Sequence, residues 1–477
     1  MKIVLINPPR FNEIRADNPS FIDEERGYNP PLGILYLASY LQQNADYPIK
    51  IIDAQAEKLN YDEEFKKRIP VDDDLVVGIS AMTFTMIDVI KTIKLLREVE
   101  KKSLIKMKIV LGGPHTIIYP KETIEITGVD YVVVGEGEVP FFELCKKISQ
   151  EQKPLDVKGV VFKNGNGIID NGVSESIKDL DIFPFPARHL TDIKKYYSVL
   201  SGNKIVTTMF TSRGCPFPCT FCDRPQYGKR FRARSAKNVV DEMAACVEMG
   251  IEEVMVYDDT FTVNRRRVID ICDEIVSRGL KFSWDIRTRV DTVDEDMLTK
   301  LNDSGCKQIH FGVEAGTEKI LKILNKGISV EQIEKVFNIC RQLKMKTLAY
   351  FMIGMPTETK EDIEESVKLA KKLKPEFVHI TILTPYPATA IYEQALAGGV
   401  IKNDYWREFA RHPEKGVVTK YWEENFSQQE LFDLLDHFYS SFYGRPSYIL
   451  ANLLKIRSFN EFRKKLKMGF KVLGIGR

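Results

Sequence analysis

Short β-branched runs alternate with helix-period segments along most of this chain, and that alternation restricts it to α/β architectures. In the first 150 residues the runs are Lys2–Ile6, Ile49–Ile52, Leu75–Ile79, Lys108–Leu111 and Tyr131–Val134. Between the first two, Leu32, Leu35, Tyr36, Ser39 and Tyr40 share one helical face. Parallel strands joined by crossover helices predict a doubly wound sheet, whose ligands bind beyond the strand C-termini. Those ends carry Asn7-Pro8-Pro9, Asp53, Ser80-Ala81-Met82-Thr83, Gly112-Gly113-Pro114-His115 and Gly135-Glu136-Gly137-Glu138.

Residues 151–200 read as a connector. Val160-Val161-Phe162 and Ile168-Ile169 flank Asn164-Gly165-Asn166-Gly167, a β-hairpin pattern, and Pro184-Phe185-Pro186 stiffens the linker beyond it. Residues 201–400 carry a second strand series at Ile205–Phe210, Val254–Tyr257, Phe282–Ile286, Gln308–Val313, Thr347–Ile353 and Phe377–Leu383. Thr292 with Glu295, and Ser329 with Gln332, fit capping boxes, and Gly250 and Gly305 stand where helices should stop. Six βα units fall short of the eight of a closed barrel. The expectation is an open, partial (β/α)6 barrel with its site at the strand C-terminal edge, followed by a mainly helical region at 401–477.

At roughly 150 residues per domain, 477 residues leave room for about three domains. Apolar residues at 44 % and charged residues at 29 % are the balance of a globular protein and exclude collagen-like, disordered and disulfide-scaffold chains. Lys and Arg number 69 against 67 Asp and Glu, which argues against nucleic acid as a partner. The apolar segment Leu32–Leu41 is about half the length that spans a bilayer, and Met1-Lys2 runs straight into a strand rather than a signal peptide. A cytoplasmic setting is the resulting expectation, and the eight cysteines are expected to be reduced, metal-bound or buried.

Cys215-Pro216-Phe217-Pro218-Cys219-Thr220-Phe221-Cys222 is a C-x3-C-x2-C motif in the loop after the first barrel strand. Structural zinc wants four protein ligands in a closed tetrahedron, and the nearest histidine, His189, is 26 residues upstream of Cys215. Thiolates also hold iron–sulfur clusters, and three of them on a four-iron cluster leave one iron open.

At these residues the chain resembles the radical S-adenosylmethionine enzymes. Tyr257-Asp258-Asp259-Thr260-Phe261, Phe311-Gly312-Val313-Glu314-Ala315-Gly316 and Ile353-Gly354-Met355-Pro356-Thr357-Glu358 extend the likeness. They match strand ends of the branch with an N-terminal, Rossmann-like cobalamin-binding domain. That branch includes the anaerobic magnesium-protoporphyrin ester cyclase and the phosphinate methylases. The resemblance implies a [4Fe–4S] cluster on Cys215, Cys219 and Cys222, with the open iron chelating S-adenosylmethionine. Its reductive cleavage gives a 5′-deoxyadenosyl radical, which removes hydrogen from unactivated carbon. An electron donor such as ferredoxin or flavodoxin is implied as well.

By the same resemblance, Phe221 packs near the adenine and Asp258 contacts the methionine amino group. Arg287 or Arg289 pairs with the methionine carboxylate, a charge-assisted contact. Glu314 accepts from ribose hydroxyls, and Met352, Ile353 and Gly354 line the adenine with backbone. For the charged residues the alternative is an ordinary structural salt bridge. In the cobalamin-like domain Ser80-Ala81-Met82 stands where the family often has Ser-x-Leu. Gly112 and Gly113 match its glycine pair, and His115 is placed at the cobalamin edge. The loop Asn7-Pro8-Pro9-Arg10-Phe11-Asn12 departs from the family's Asp-x-His-x-x-Gly and offers no lower axial histidine. A degenerate domain that binds nothing is the competing reading. Gly135-Glu136-Gly137-Glu138-Val139-Pro140 lacks the third glycine of a nicotinamide fingerprint and comes after the wrong strand.

Cys246, Cys272 and Cys340 share helical faces with apolar neighbours and read as core. The N-terminal domain offers only Cys145, which argues against a methylthiotransferase with a second cluster. The expected function is cobalamin-dependent C-methylation, with radical ring closure or oxidation without net methylation as the alternative. A non-catalytic cobalamin or iron sensor is the third reading, and the intact cysteine triplet speaks against it. A carbon radical attacks almost any C–H bond, so positioning must supply selectivity. Tyr405, Trp406, Tyr421, Trp422, Phe438, Tyr439, Phe442 and Tyr443 suggest a lid over a large, apolar substrate such as a lipid or tetrapyrrole. Residues 451–477 carry eight basic side chains and one acid, Glu461, with Phe459, Phe462, Leu466, Phe470 and Leu473 on one face. Such a helix either docks on the barrel or makes peripheral contact with an anionic membrane.

Overall fold

A computed structural model describes residues 1–14, 27–198, 201–202, 204–223 and 228–453, residues 451–453 by backbone only. The first sheet holds β1 (Lys2–Asn7), β2 (Ile49–Asp53), β3 (Leu75–Ser80), β4 (Met107–Gly112), β5 (Tyr131–Val133), β6 (Val160–Asn164) and β7 (Gly167–Asp170). Its order is β2-β1-β3-β4-β5-β6-β7, with β1 to β5 parallel and β6 and β7 antiparallel. Winding reverses between β1 and β3, the switch point where such sheets bind ligands. Alternate residues explain the two covered faces. Ile3 and Leu5 pack with Leu35 and Phe141 under the helices Leu32–Asn44 and Glu138–Ser149. Val4 and Ile6 pack with Val89 and Ile93 of the helix Met86–Ser103. The hairpin read as part of a connector instead extends this sheet, because β5 would otherwise be a bare edge beside the buried Val160 and Val161.

The second sheet contains β8 (Val206–Met209), β11 (Glu253–Val256), β12 (Ser283–Thr288), β13 (Cys306–Glu314), β14 (Lys346–Ile353) and β15 (Phe377–Ile382). They run parallel in the order β15-β14-β13-β12-β11-β8, and β15 does not pair with β8. This is the open six-stranded barrel. Between its first two strands, β9 (Ser212–Arg213) and β10 (Arg232–Ala233) form a two-stranded ribbon. Ser329 and Gln332 form the capping box of the helix Val330–Gln342. Thr292 does not cap its helix: the helix Glu295–Asp303 starts on Asp294, whose charged side chain accepts from Met297 N–H.

The helix Gln428–Tyr443, in the C-terminal region, closes the open edge at β15. Tyr443 Oη donates to Val378 C=O at 2.9 Å and accepts from Val378 N–H at 3.1 Å. Tyr439 Oη does the same for Ile380, at 3.0 and 2.9 Å. Two tyrosines one helical turn apart thus satisfy an edge strand that would otherwise invite pairing. This corrects the expectation of an aromatic lid: Trp406, Tyr421, Phe438, Tyr439 and Phe442 are all buried in packing. Among the described residues no helix is long and apolar enough to cross a membrane. Of the basic segment 451–477, everything beyond Leu453 lies outside the described residues.

Candidate active site

The cysteine motif leaves the C-terminal end of the barrel through β9. Cys215 is partly buried, Cys219 buried and Cys222 exposed, and all three are free thiols. Thr220 N–H donates to Leu324 C=O at 3.0 Å, and Thr220 C=O accepts from Ile391 N–H at 3.0 Å. Asn325 Nδ2 donates to Pro218 C=O at 3.2 Å. These bonds fix the loop between the barrel's fourth and last strand ends. Protein packed around the inner side of Cys222, together with the charges of Asp259, Cys219 and Cys215, pushes its thiol up to about 12. The three thiols therefore share one electrostatic neighbourhood. Among the described residues no three His, Cys, Asp or Glu side chains, the three cysteines included, stand close enough together to hold a metal ion as they are placed. The donor set, three thiols within one loop and no fourth cysteine or histidine gathered with them among the described residues, fits a cluster with one open iron rather than structural zinc.

Arg289 approaches this group most directly. Nη1 donates to Cys219 Sγ at 3.4 Å, and the guanidinium lies 3.9 Å over the Phe217 ring. Asp291 clamps Nε and Nη2 at 2.9 Å each, and Nη2 also reaches Lys326 C=O. Lys326 Nζ pairs with Glu314 Oε1 at 2.7 Å and lies 5.8 Å over the Phe221 ring. Arg289, Lys326, Glu314 and Phe221 thus form one connected wall beside the cysteines. Of these, sequence reading missed Lys326, which carries no motif and reaches the site only because its loop comes after β13.

Several expectations are corrected. Asp258 does not face a ligand: its carboxylate accepts from Thr211 N–H and Oγ1 at 2.6 and 2.5 Å, and from Ser212 N–H and Oγ at 3.1 and 2.6 Å. Four donors use up its lone pairs, so Asp258 ties the segment before the cysteines to β11. Arg287 pairs with Asp285, donates to Val256 C=O at 3.0 Å and stacks 4.0 Å over Tyr257. The backbone near the predicted adenine contact is also committed. Gly354 N–H goes to Glu358 Oε2 at 2.6 Å and Ile353 C=O to Leu383 N–H at 2.8 Å, while Met352 is partly exposed. Burial pushes Glu358 up to about 7, against the pull of the Met355 and Gly354 N–H groups.

In the first sheet a cleft of about 120 Å³ opens at the ends of β3, β4 and β5. Ser80, Gly112 and Gly113 line it, with Gly33, Gly78 and Gly135 to Glu138. Gly113 has φ of +120°, and a Cβ there would meet Ala81 C=O at 2.8 Å, so only glycine allows this close turn. A floor of bare backbone suits a nucleotide-like tail. His115 is not part of the lining. It is fully buried, Nδ1 meets Thr83 Oγ1 at 3.1 Å, and burial holds its ring well below the usual imidazole range, at about 3. The reason is its position at the start of the helix Pro114–Ile118, which turns the ring toward Thr83 and Tyr119. The remaining cysteines, Cys145, Cys246, Cys272, Cys306 and Cys340, are buried in the core.

Comparison with known proteins adds two family matches. The radical SAM superfamily model matches residues 209–370, and the B12 binding domain model matches residues 22–144. The chain is 34 % identical to an uncharacterised methyltransferase of Pyrococcus horikoshii, over 96 % of each chain. It is 28 % identical to the anaerobic magnesium-protoporphyrin IX monomethyl ester cyclase of Rubrivivax gelatinosus, over 78 % of this chain and 67 % of that one. The solved structure of OxsB, a cobalamin-dependent S-adenosylmethionine radical enzyme, shares the fold. Its TM-score is 0.76 at 17 % identity, over 99 % of this chain and 71 % of that one.

Proposed function

The chain belongs to the radical S-adenosylmethionine enzymes that carry a B12-binding domain, and within that family we propose that it methylates an unactivated carbon of an organic substrate. It is an enzyme that uses a [4Fe–4S] cluster, S-adenosylmethionine and cobalamin. When bound, these groups supply a one-electron reductant, a carbon-radical precursor and a methyl carrier. Cys215, Cys219 and Cys222 would hold the cluster, and the cleft floored by Ser80, Gly112 and Gly113 would hold the cobalamin tail.

The chain's own residues set the geometry. Asp258 fixes Thr211 and Ser212, and Arg289 holds a cation against the Cys219 sulfur. The Lys326–Glu314 pair gives the wall beside them one carboxylate oxygen beyond the ion pair, suited to a ribose hydroxyl. The carrying observation is a triplet of free thiols in one loop at the C-terminal edge of an open barrel, in a chain aligned over nearly its whole length with a relative named as a methyltransferase.

Ring closure without net methylation is the second reading, favoured by the likeness to the cyclase. The substrate we propose is a large ring-containing or lipid molecule, in line with the tetrapyrrole named for that relative. The aromatic residues that first suggested it pack in the core and lend it no support. The reaction needs an external one-electron donor, for which a ferredoxin or flavodoxin is proposed. Peripheral membrane contact through 451–477 is a further proposal. Liposome flotation of the full chain against one ending at Ser458 tests it, and equal, poor flotation on anionic vesicles defeats it. Mass spectrometry after anaerobic reconstitution with a tetrapyrrole or lipid candidate tests the reaction. 5′-Deoxyadenosine together with S-adenosylhomocysteine means methylation, and 5′-deoxyadenosine alone means oxidation or ring closure. Neither product across the candidate panel counts against both.

A further inference from the structure

The cleft and the cysteine loop meet at a buried ion network. Arg213, two residues before Cys215, donates from Nη1 to Glu136 Oε2 at 2.7 Å and from Nη2 to Glu138 Oε1 at 2.5 Å. Arg232 of β10, the partner of β9, takes the other oxygen of Glu136. All four side chains are less than a tenth exposed. The Arg213 guanidinium also lies 5.0 Å over Phe183 and 5.6 Å over Tyr36, which wrap it in apolar surface. Glu136, Glu138 and Arg213 all line the cleft of the first sheet. From the other side, Asp258 holds the neighbouring Ser212 to the barrel. The dipeptide Ser212-Arg213 is therefore tied to the barrel by one residue and to the cleft wall by the next.

We propose that Arg213 is a positioning residue that couples filling of the cleft to the setting of the cysteine loop. The proposal rests on the reading of the cleft as the cobalamin site. A buried ion network holds its members in one arrangement, because moving one partner leaves an uncompensated charge. A ligand seated on the Gly135 to Glu138 wall packs against the segment that carries Glu136 and Glu138 and restrains it. Their grip on Arg213 then fixes the backbone two residues from Cys215. Two sites linked through one element must show reciprocal coupling, typically about fivefold or more.

The test uses the full chain carrying its cluster, with and without hydroxocobalamin. S-adenosylmethionine affinity is measured by titration, and the reduced cluster's EPR signal is recorded in each state. In the wild type, cobalamin should tighten S-adenosylmethionine binding about fivefold or more and shift the cluster signal. In Arg213→Gln both effects should vanish, read on protein that iron analysis and the visible spectrum show to be loaded with cluster and, at saturating concentration, with cobalamin. Glu138→Gln, which keeps an acceptor and removes one charge, should reduce the coupling part way and serves if Arg213→Gln fails to fold. Equal coupling in wild type and variants, or none in the wild type, overturns the proposal. Failure of wild-type protein to take up cobalamin overturns the cofactor reading itself, and is seen separately in the visible spectrum.

Discussion

Arg289 Nη1 donates to Cys219 Sγ at 3.4 Å, from a side chain clamped by both oxygens of Asp291. A cationic donor on a ligand sulfur stabilises the more electron-rich state of an iron–sulfur cluster. Arg289→Gln should therefore lower the cluster's reduction potential by about 60 mV, the one-electron equivalent of about 1.4 kcal/mol for one net hydrogen bond. Electrochemical titration of the reconstituted protein measures it. An unchanged or higher potential would contradict the role.

Replacing Cys215, Cys219 and Cys222 together with Ala should take the protein from about four irons per chain to none. S-adenosylmethionine cleavage should disappear with them. The fold should survive, because the loop hangs on backbone bonds from Thr220 to Leu324 and Ile391 rather than on the thiols. Iron analysis with circular dichroism checks both halves, and a triple variant that keeps its iron would sink the cluster assignment.

Glu358 gives a pH signature. Its carboxyl is raised from 4.5 to about 7 by burial, so the folded state binds its proton more tightly than the unfolded chain. Its stabilising contribution is complete below the unfolded value and is lost as pH rises through about 7. The loss is on the order of 3 kcal/mol. Urea midpoints for wild type and Glu358→Gln at pH 5 and 8 test this. The variant should be the less pH-sensitive protein, and parallel curves would refute it.

Gly312 makes room for the Lys326–Glu314 pair. A Cβ there would collide with Glu314 Oε1 and stand 2.7 Å from Lys326 Nζ. Gly312→Ala should displace the pair and cost about 1–3 kcal/mol. Chemical denaturation measures the cost, and a neutral substitution would show that the pair tolerates displacement.

Tyr439 and Tyr443 bond both backbone groups of alternate residues on β15. Tyr439→Phe should leave Ile380 N–H and C=O buried and unpaired, at about 1–3 kcal/mol. Amide hydrogen exchange at Ile380 should accelerate. If it does not, the helix rather than the hydroxyl protects the edge.

The sequence by itself determined the elements and the order of their chemistry. Strand runs such as Leu75–Ile79 and Thr347–Ile353 are legible because a strand's burial is written in its own β-branched residues. The cysteine triplet is legible because its spacing lies within one loop. What only the tertiary structure decided is where polar side chains find their partners. Asp258 meets Thr211 and Ser212 from 47 and 46 positions away, and no local pattern says that it will be saturated there. His115 turns to Thr83 rather than to the cleft, and Tyr439 and Tyr443 serve an edge strand 59 and 65 residues upstream. Arg213 belongs to no local motif, and only the pairing of β9 places it against Glu136 and Glu138. The reason is physical. Backbone conformation is set largely by neighbours in the chain, whereas a buried charge or hydroxyl takes its place by desolvation cost, and that cost exists only once distant segments have packed around it.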